Sequence, residues 1–364
     1  MPESASVQRF LTKTERSLGE WLVAWLLLPF AFLYWISTTA RRGLYRAGLF
    51  RQVRLPAKVI SVGGITIGGS GKTPAVIHLA EYLQSIGKKT LILTRGYGGE
   101  TQTAVIVRPG DDTTERNLSD EVILMSEKIS VTIGVGADRV AAFGKASDSI
   151  EFDVVIIDDG FQHLKITRDL DIVVLDATAP FGNGYLLPSG NLRESKASLK
   201  RADLTILTRI SQSENAVRIR QQLTKDFEGK TIVSADYVPD GIQQVHTGEI
   251  VDSSTLSDRS IFAFSAIANP DSFFSMLETE GLEIVGKKAF RDHHIYTQPD
   301  IEELVREARA AECSAFVVTE KDAVKLKALD CGQIPIYAFR IRLQISEGED
   351  SLRNAIVRTL DDKA

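Results

Sequence analysis

Gly63-Gly64-Ile65-Thr66-Ile67-Gly68-Gly69-Ser70-Gly71-Lys72-Thr73-Pro74 follows the short apolar run Val59-Ile60-Ser61-Val62. An apolar run, a glycine-rich turn and then Lys-Thr opening a helix is the layout of a nucleotide-phosphate loop. Glycine lets backbone N–H groups converge on phosphate oxygens without Cβ clashes. The helix that starts here turns its free N–H groups and positive dipole end toward the same anion. Thr66 to Gly71 would wrap the phosphates, Lys72 would reach the β- and γ-phosphates, and the Thr73 hydroxyl would ligate Mg²⁺. The strict pattern asks for glycine where Thr66 stands, and the Gly68-Gly69 pair restores the flexibility. Val76, Leu79, Ala80 and Leu83 recur at helical spacing and Gly87 closes the segment.

Strands and helices alternate on the carboxyl side. Thr90–Thr94, Ala104–Val107, Asp153–Ile157, Ile172–Leu175 and Leu204–Leu207 are predicted strands. Their continuous β-branched runs imply burial on both faces, hence a parallel sheet with helices on each side. Ser211–Gly229 is polar and amphipathic, a surface helix stopped by Gly229. The βα pattern restarts beyond it, with strands at Ile261–Phe264, Ala315–Val318 and Ile336–Phe339 and a helix at Ile301–Ala311. Pro335 limits the last strand to a start or an edge. With 364 residues, two domains are expected. The boundaries are an N-terminal segment to residue 55, a phosphate-loop domain over 56–230, a smaller α/β domain over 231–345, and a C-terminal helix over 346–364.

The chain is 43% hydrophobic and 25% charged, ordinary for full cores, and its net charge of −5 argues against a polyanion binder such as a nucleic-acid protein. Its two cysteines, Cys313 and Cys331, lack metal-ligand spacing and fit a reducing compartment. Trp21 to Ile36 (WLVAWLLLPFAFLYWI) is a sixteen-residue apolar run holding all three tryptophans, followed by Arg41, Arg42, Arg46, Arg51 and Arg54. Sixteen residues make about 24 Å of helix, short of the ~30 Å hydrocarbon core, and Pro29 should bend it. The aromatic ends and arginines suit a helix dipping into one leaflet of an anionic membrane, with a true span, a cleaved signal peptide and a buried core helix as the alternatives.

Four apolar residues running into Asp158-Asp159 form a strand end that can hold Mg²⁺ beside the loop. Gly160-Phe161-Gln162-His163 follow where side chains meet substrate in α/β folds. Ser119-Asp120-Glu121 reads equally as a helix start, with acids in the first turn. Asp292-His293-His294-Ile295-Tyr296 reads equally as a polar surface turn. Each histidine cluster nonetheless has an acid shortly before it, a proton-handling combination near neutral pH.

In order, these motifs resemble the tetraacyldisaccharide 4′-kinase family of lipid A biosynthesis over nearly the whole chain. TIGGSGKTP at 66–74, RGYGG at 95–99, SDE at 119–121, ADR at 137–139 and DDGFQH at 158–163 come first. LLPSGNLRES at 186–195, IANP at 267–270, DHHIY at 292–296 and TEKDAVKL at 319–326 follow. The family pattern carries Thr at the position of Thr66, and often Asn where Gly64 stands, so any contact from that side chain is missing here. The resemblance implies an α/β, P-loop NTPase-like fold with a mostly parallel sheet flanked by helices, a second smaller α/β domain and a membrane-interface helix. It further implies a monotopic kinase on the cytoplasmic face of the bacterial inner membrane. ATP and Mg²⁺ would serve it, and the acceptor would be the 4′-hydroxyl of a tetraacylated glucosamine disaccharide 1-phosphate, with no nucleic acid and no obligate protein partner. By the same resemblance Thr73, Asp158, Asp159 and Glu194 organise Mg²⁺, and Asp120 is the base, paired with His293 or, failing that, His294. Arg139 and Arg193 steady the transferring phosphoryl. Arg95, Tyr97, Glu121, Gln162 and His163 line the substrate side.

Two other classes fit less well. Guanine readers carry N-K-x-D, whereas Lys321-Asp322 are adjacent, and the deviant metallochaperone-type loop needs Lys where Ile67 stands. A scaffold with a decayed nucleotide site would not keep Lys72, Thr73, Asp120 and Asp158 together.

Overall fold

The computed structural model describes residues 10–11, 17–69, 71–96, 104–113 and 118–362. The chain forms two compact units, Met1–Tyr237 with Leu343–Ala364, and Val238–Arg342. The sequence puts the corresponding boundaries at 230 and 345. The units divide inside two strands, β8 (Thr231–Gln244) and β13 (Ile336–Glu347), along which the chain leaves the first unit and returns to it.

The first unit is built on β1 (Lys58–Gly63), β2 (Thr90–Thr94), β3 (Val105–Val107), β4 (Thr132–Val135), β5 (Val154–Asp158), β6 (Leu170–Asp176), β7 (Leu204–Thr208) and the start of β8. The order is β8-β7-β6-β1-β5-β2-β4-β3, parallel throughout except for the antiparallel edge strand β3. Alternation within β1 shows why both faces are apolar. Ile60 and Val62 pack with Val76, Leu79 and Leu83 of helix α2 (Lys72–Ser85), while Val59 joins the opposite layer with Ala142 and Phe143 of α4 (Arg139–Ser147). Helix α3 (Asp120–Lys128) lies between β3 and β4 in sequence, and α5 (Ala216–Asp226) between β7 and β8. Helix α9 (Glu349–Asp361) returns to the first unit, burying Leu352 and Ile356 in the layer that holds Val174 and Val233.

Within the second unit, β11 (Glu283–Ala289), β10 (Ser260–Ser265), β12 (Ala315–Thr319) and β13 pair in that order, all parallel, and the short β9 (Ile250–Val251) pairs antiparallel with the end of β8. Helices α6 (Pro270–Thr279), α7 (Gln298–Ala310) and α8 (Glu320–Leu326) complete it. The expected mostly parallel α/β architecture is borne out.

Helix α1 (Leu18–Arg46) is 29 residues long and starts at a capping box between Ser17 and Glu20. It is longer than the apolar run, because Thr38 to Arg46 continues in helical conformation and places Arg41, Arg42 and Arg46 in its last turns. Ala24 and Ala31, seven residues apart, are buried, while Leu22, Trp25, Leu26, Phe30, Leu33 and Trp35 are exposed. Among the described residues it is the one helix long and apolar enough to cross a membrane, with only 11% of its most apolar window buried.

Candidate active site

Strand β1 ends where the phosphate loop begins, and the loop is tied to the 191–193 segment. Thr66 forms an antiparallel bridge with Leu192, the Ile67 N–H donates to the Asn191 carbonyl at 2.8 Å, and the Arg193 N–H donates to the Ile65 carbonyl at 2.7 Å. Gly68 and Gly71 both take left-handed conformations, φ 111° and 81°. Gly71 caps α2 without a side chain, and a Cβ there would fall 1.4 Å from the Tyr237 hydroxyl oxygen. Only glycine fits, and the first N–H groups of α2 stay available to an anion. Gly69 is exposed; Lys72 and Thr73 open the helix, half-buried. Ser70 lies outside the described residues.

The register pairs Val62 with Asp158, so β5 delivers its acids level with the start of the loop. Asp158 is buried; its Oδ2 accepts from the Thr94 hydroxyl at 2.9 Å, and its carbonyl accepts from Arg139 Nη2 at 2.9 Å. Burial, reinforced by the adjacent Asp159 charge, raises its carboxyl above the usual range. Asp159 sits in a left-handed backbone conformation, φ 49°, costly for a non-glycine residue. Burial raises its carboxyl too, but Lys72 and Arg193 together outweigh that and the net shift is downward. Arg193 Nη1 is 2.6 Å from Asp159 Oδ2 and Lys72 Nζ is 3.7 Å from Oδ1. Oδ1 is buried and accepts no hydrogen bond among the described residues. Two neighbouring carboxylates pushed in opposite directions, one with an unsatisfied oxygen, suit a hard divalent cation.

Gln162 Nε2 donates to the Gly64 carbonyl at 3.0 Å and to Glu194 Oε1 at 3.1 Å. His163 Nδ1 lies 3.3 Å from Arg139 Nη1. A guanidinium only donates, so Nδ1 accepts and the proton belongs on Nε2. Burial, then the Arg139 charge, lowers this imidazole to about 4 and keeps it neutral. Glu194, expected at the metal, is 4% exposed and fully engaged otherwise. Arg42 Nη1 and Arg201 Nη1 reach its Oε2 at 2.9 and 3.0 Å, and Arg201 Nη2 and Gln162 reach Oε1. Two guanidinium groups and the Gln162 amide thus occupy its two oxygens. Arg201 also stacks 3.8 Å over the Phe161 ring.

Asp120 and Glu121 occupy the first turn of α3, and the Glu121 N–H donates to Asp120 Oδ1 at 3.2 Å. The Ser119 hydroxyl makes no capping bond there, so the acids serve the helix terminus electrostatically. Arg95 is exposed just beyond β2, and Tyr97 lies outside the described residues. His293 belongs to the second unit, in a left-handed conformation, φ 59°, with Nε2 3.1 Å from Lys321 Nζ. His294 is committed to structure. Its Nε2 meets Asp300 at 3.1 Å and its ring stacks on Phe290 at 4.9 Å, beside buried Tyr296. Within DHHIY only Tyr296 is buried, so the segment is a polar turn anchored by one core ring.

Four contributors were not anticipated. Arg201 holds Glu194, Tyr237 closes on Gly71, and Arg209, paired with Asp176, donates to the Gly69 carbonyl at 3.2 Å. Tyr34 of α1 donates to the Arg193 carbonyl at 3.1 Å. Only Arg209, a charged residue directly after a buried strand, carried a signal that position alone could have flagged.

The family model described as tetraacyldisaccharide-1-P 4′-kinase matches residues 23–361. The chain belongs to the tetraacyldisaccharide 4′-kinase family. Curated relatives carrying that family's name include one from Anaeromyxobacter sp. (strain Fw109-5), 35% identical over 93% of this chain and 92% of its own. Another, from Pelobacter propionicus, is 37% identical over 94% of this chain and 95% of its own. The crystal structure of "apo" form LpxK from Aquifex aeolicus in complex with ATP is similar with a TM-score of 0.75 and 29% identity, over 93% of this chain and 99% of that one. The resemblance carried by the ordered motifs is thereby borne out, and membership of this family makes the chain a kinase.

Proposed function

We propose that this chain transfers the γ-phosphoryl group of ATP to the 4′-hydroxyl of a tetraacylated glucosamine disaccharide 1-phosphate, the acceptor its relatives' name implies, in lipid A biosynthesis. The carrying observation is the Lys72–Asp159 pair at 3.7 Å, between an uncapped helix start and a second carboxylate, in a chain of this family. Phosphoryl transfer is mostly positioning and charge neutralisation. The amides from Thr66 to Gly71 and the Lys72 ammonium bind the phosphates. Thr73, Asp158 and Asp159 would hold Mg²⁺, which when bound neutralises charge between the phosphates. The unsatisfied Asp159 Oδ1 supports that assignment, whereas Glu194 acts through Arg42 and Arg201.

Arg193 and Arg139 flank the acids and offer charge to the transferring group. Asp120 is the base that takes the acceptor proton, assisted by His293. The neutral His163 offers its Nε2–H, and Arg95, Tyr97, Glu121 and Gln162 serve the same acceptor side. The exposed apolar residues of α1 support a monotopic seat on a membrane, and the need for ATP favours the cytoplasmic face of the inner membrane. A full span is disfavoured because α1 is bonded to the globular unit from Ala24, whose carbonyl accepts from Ser189, to Arg42. The test incubates the purified chain with labelled ATP, Mg²⁺ and the lipid disaccharide 1-phosphate in mixed micelles. Label on the 4′-oxygen is expected; label elsewhere, or hydrolysis at the same rate without lipid, would overturn the reading.

A further inference from the structure

Three residues on one face of α1, Tyr34, Arg41 and Arg42, reach inward to the segments that hold the phosphate loop. The Tyr34 hydroxyl donates to the Arg193 carbonyl at 3.1 Å, Arg41 Nη1 to the Gln162 carbonyl at 3.2 Å, and Arg42 Nη1 to Glu194 Oε2 at 2.9 Å. Thr39 receives Arg42 Nη2 at 3.0 Å and so fixes the guanidinium before it meets its carboxylate. Each acceptor is one step from the loop or its acids. Arg193 bonds Ile65 through its own N–H and grips Asp159 through Nη1, and Asp159 faces Lys72. Gln162 and Glu194 bond each other, and Gln162 holds the Gly64 carbonyl. A helix that served only to tether the enzyme would need none of these contacts, and an arginine serving only lipid headgroups would point outward. The Arg42 side chain is 25% exposed and the Glu194 side chain 4%.

The geometry points to the membrane helix as part of the catalytic scaffold. Tyr34 and Arg42 are positioning residues that hold Arg193 and Glu194, and through them Asp159 and Lys72, in working register. Seating of α1 therefore sets turnover as well as lipid affinity. This rests on the kinase reading above, so the full-length wild-type chain is assayed first. Absence of transfer there would refute that reading, whereas active wild type with unaffected variants would refute this one.

The experiment compares Tyr34→Phe, Arg42→Ala and Arg42→Lys in mixed micelles of lipid acceptor, separating kcat, the KM values for ATP and acceptor, and micelle partition. Tyr34→Phe deletes one hydroxyl and keeps the apolar surface, and Arg42→Lys keeps the charge. Misplacement of catalytic groups by fractions of an ångström lowers turnover steeply. We expect kcat to fall about 5-fold for Tyr34→Phe and roughly 10- to 30-fold for Arg42→Ala, with partition and acceptor KM unchanged. Partial recovery is expected in Arg42→Lys. Unchanged kcat, or losses that appear wholly as a raised acceptor KM or lost partition, would reduce these residues to lipid binding. Thermal unfolding of each variant separates a folded, slower enzyme from a damaged one. If Arg42→Ala unfolds, Tyr34→Phe, which leaves every charge in place, decides the matter.

Discussion

Asp159→Asn should change nucleotide binding and turnover in opposite directions. Lys72 faces Asp159 Oδ1 at 3.7 Å and Arg193 faces Oδ2 at 2.6 Å, with side chains 15, 21 and 11% exposed for Lys72, Arg193 and Asp159. At an effective dielectric of ~20 the Lys72 attraction is about 4 kcal/mol gross, most of it cancelled by desolvation of the pair. The surplus is on the order of 1–2 kcal/mol, enough to make metal-free ATP compete with Asp159 for Lys72 and meet carboxylate repulsion besides. Neutralising Asp159 frees Lys72, so metal-free ATP should bind about 10-fold more tightly. Turnover with Mg²⁺ should fall about 10²- to 10³-fold, because a preorganised charge at the reacting phosphates is lost. Calorimetric titration of ATP in the presence of a chelator gives the first quantity, and lipid phosphorylation at saturating Mg²⁺ gives the second. Weaker metal-free binding in the variant, or near-wild-type turnover, would refute this account of the pair.

Trp25 and Leu26, 66 and 73% exposed, touch little of the globular unit. Changing both to serine should cost about 2 kcal/mol of membrane burial each, moving the protein to the soluble fraction with ATP affinity unchanged on calorimetric titration. His163 titrates near 4 when folded and near 6.5 when unfolded, so between these values the unfolded chain binds the extra proton. Its contribution to stability is present above pH 6.5 and is lost as pH falls through this window, by about 1 kcal/mol after screening. Urea unfolding of the His163→Gln variant should show a correspondingly shallower loss between pH 7 and 5. Asp120→Ala should lower kcat about 10²- to 10⁴-fold with modest change in ATP KM. His293→Ala should cost less and combine non-additively with it in a double-mutant cycle, and full additivity would separate the two roles.

The layers of the first unit were legible because β1, β5, β6 and β7 are continuous apolar runs, which only a sheet covered on both faces accommodates. Strand β4 escaped because Thr132 and Gly134 interrupt its run, and β8 because Pro239-Asp240-Gly241 reads as a turn. Strand β11 alternates exposed and half-buried residues and carries two lysines, the pattern of a strand with little core to declare it. Within the site, Lys72, Thr73, Asp158 and Asp159 were legible because their spacing is local. Glu194 was legible as important, but not in its partners. Arg42 stands 152 residues away, and an arginine looks the same in sequence whether it meets a phosphate headgroup or a buried carboxylate. Tyr237 has no sequence signal, since its part is to fill the space a side chain at Gly71 would need.

The return of the chain into its first unit sets an order of events during synthesis. Helix α1 precedes every strand of that unit in the chain, so it is made before the segments it bonds to. The layer around Val174 and Val233 stays open until Leu343, Leu352 and Ile356 arrive, after the whole second unit has been made. Truncations that remove Leu352 and Ile356 should therefore leave an apolar sheet face exposed, a substrate for quality-control proteolysis.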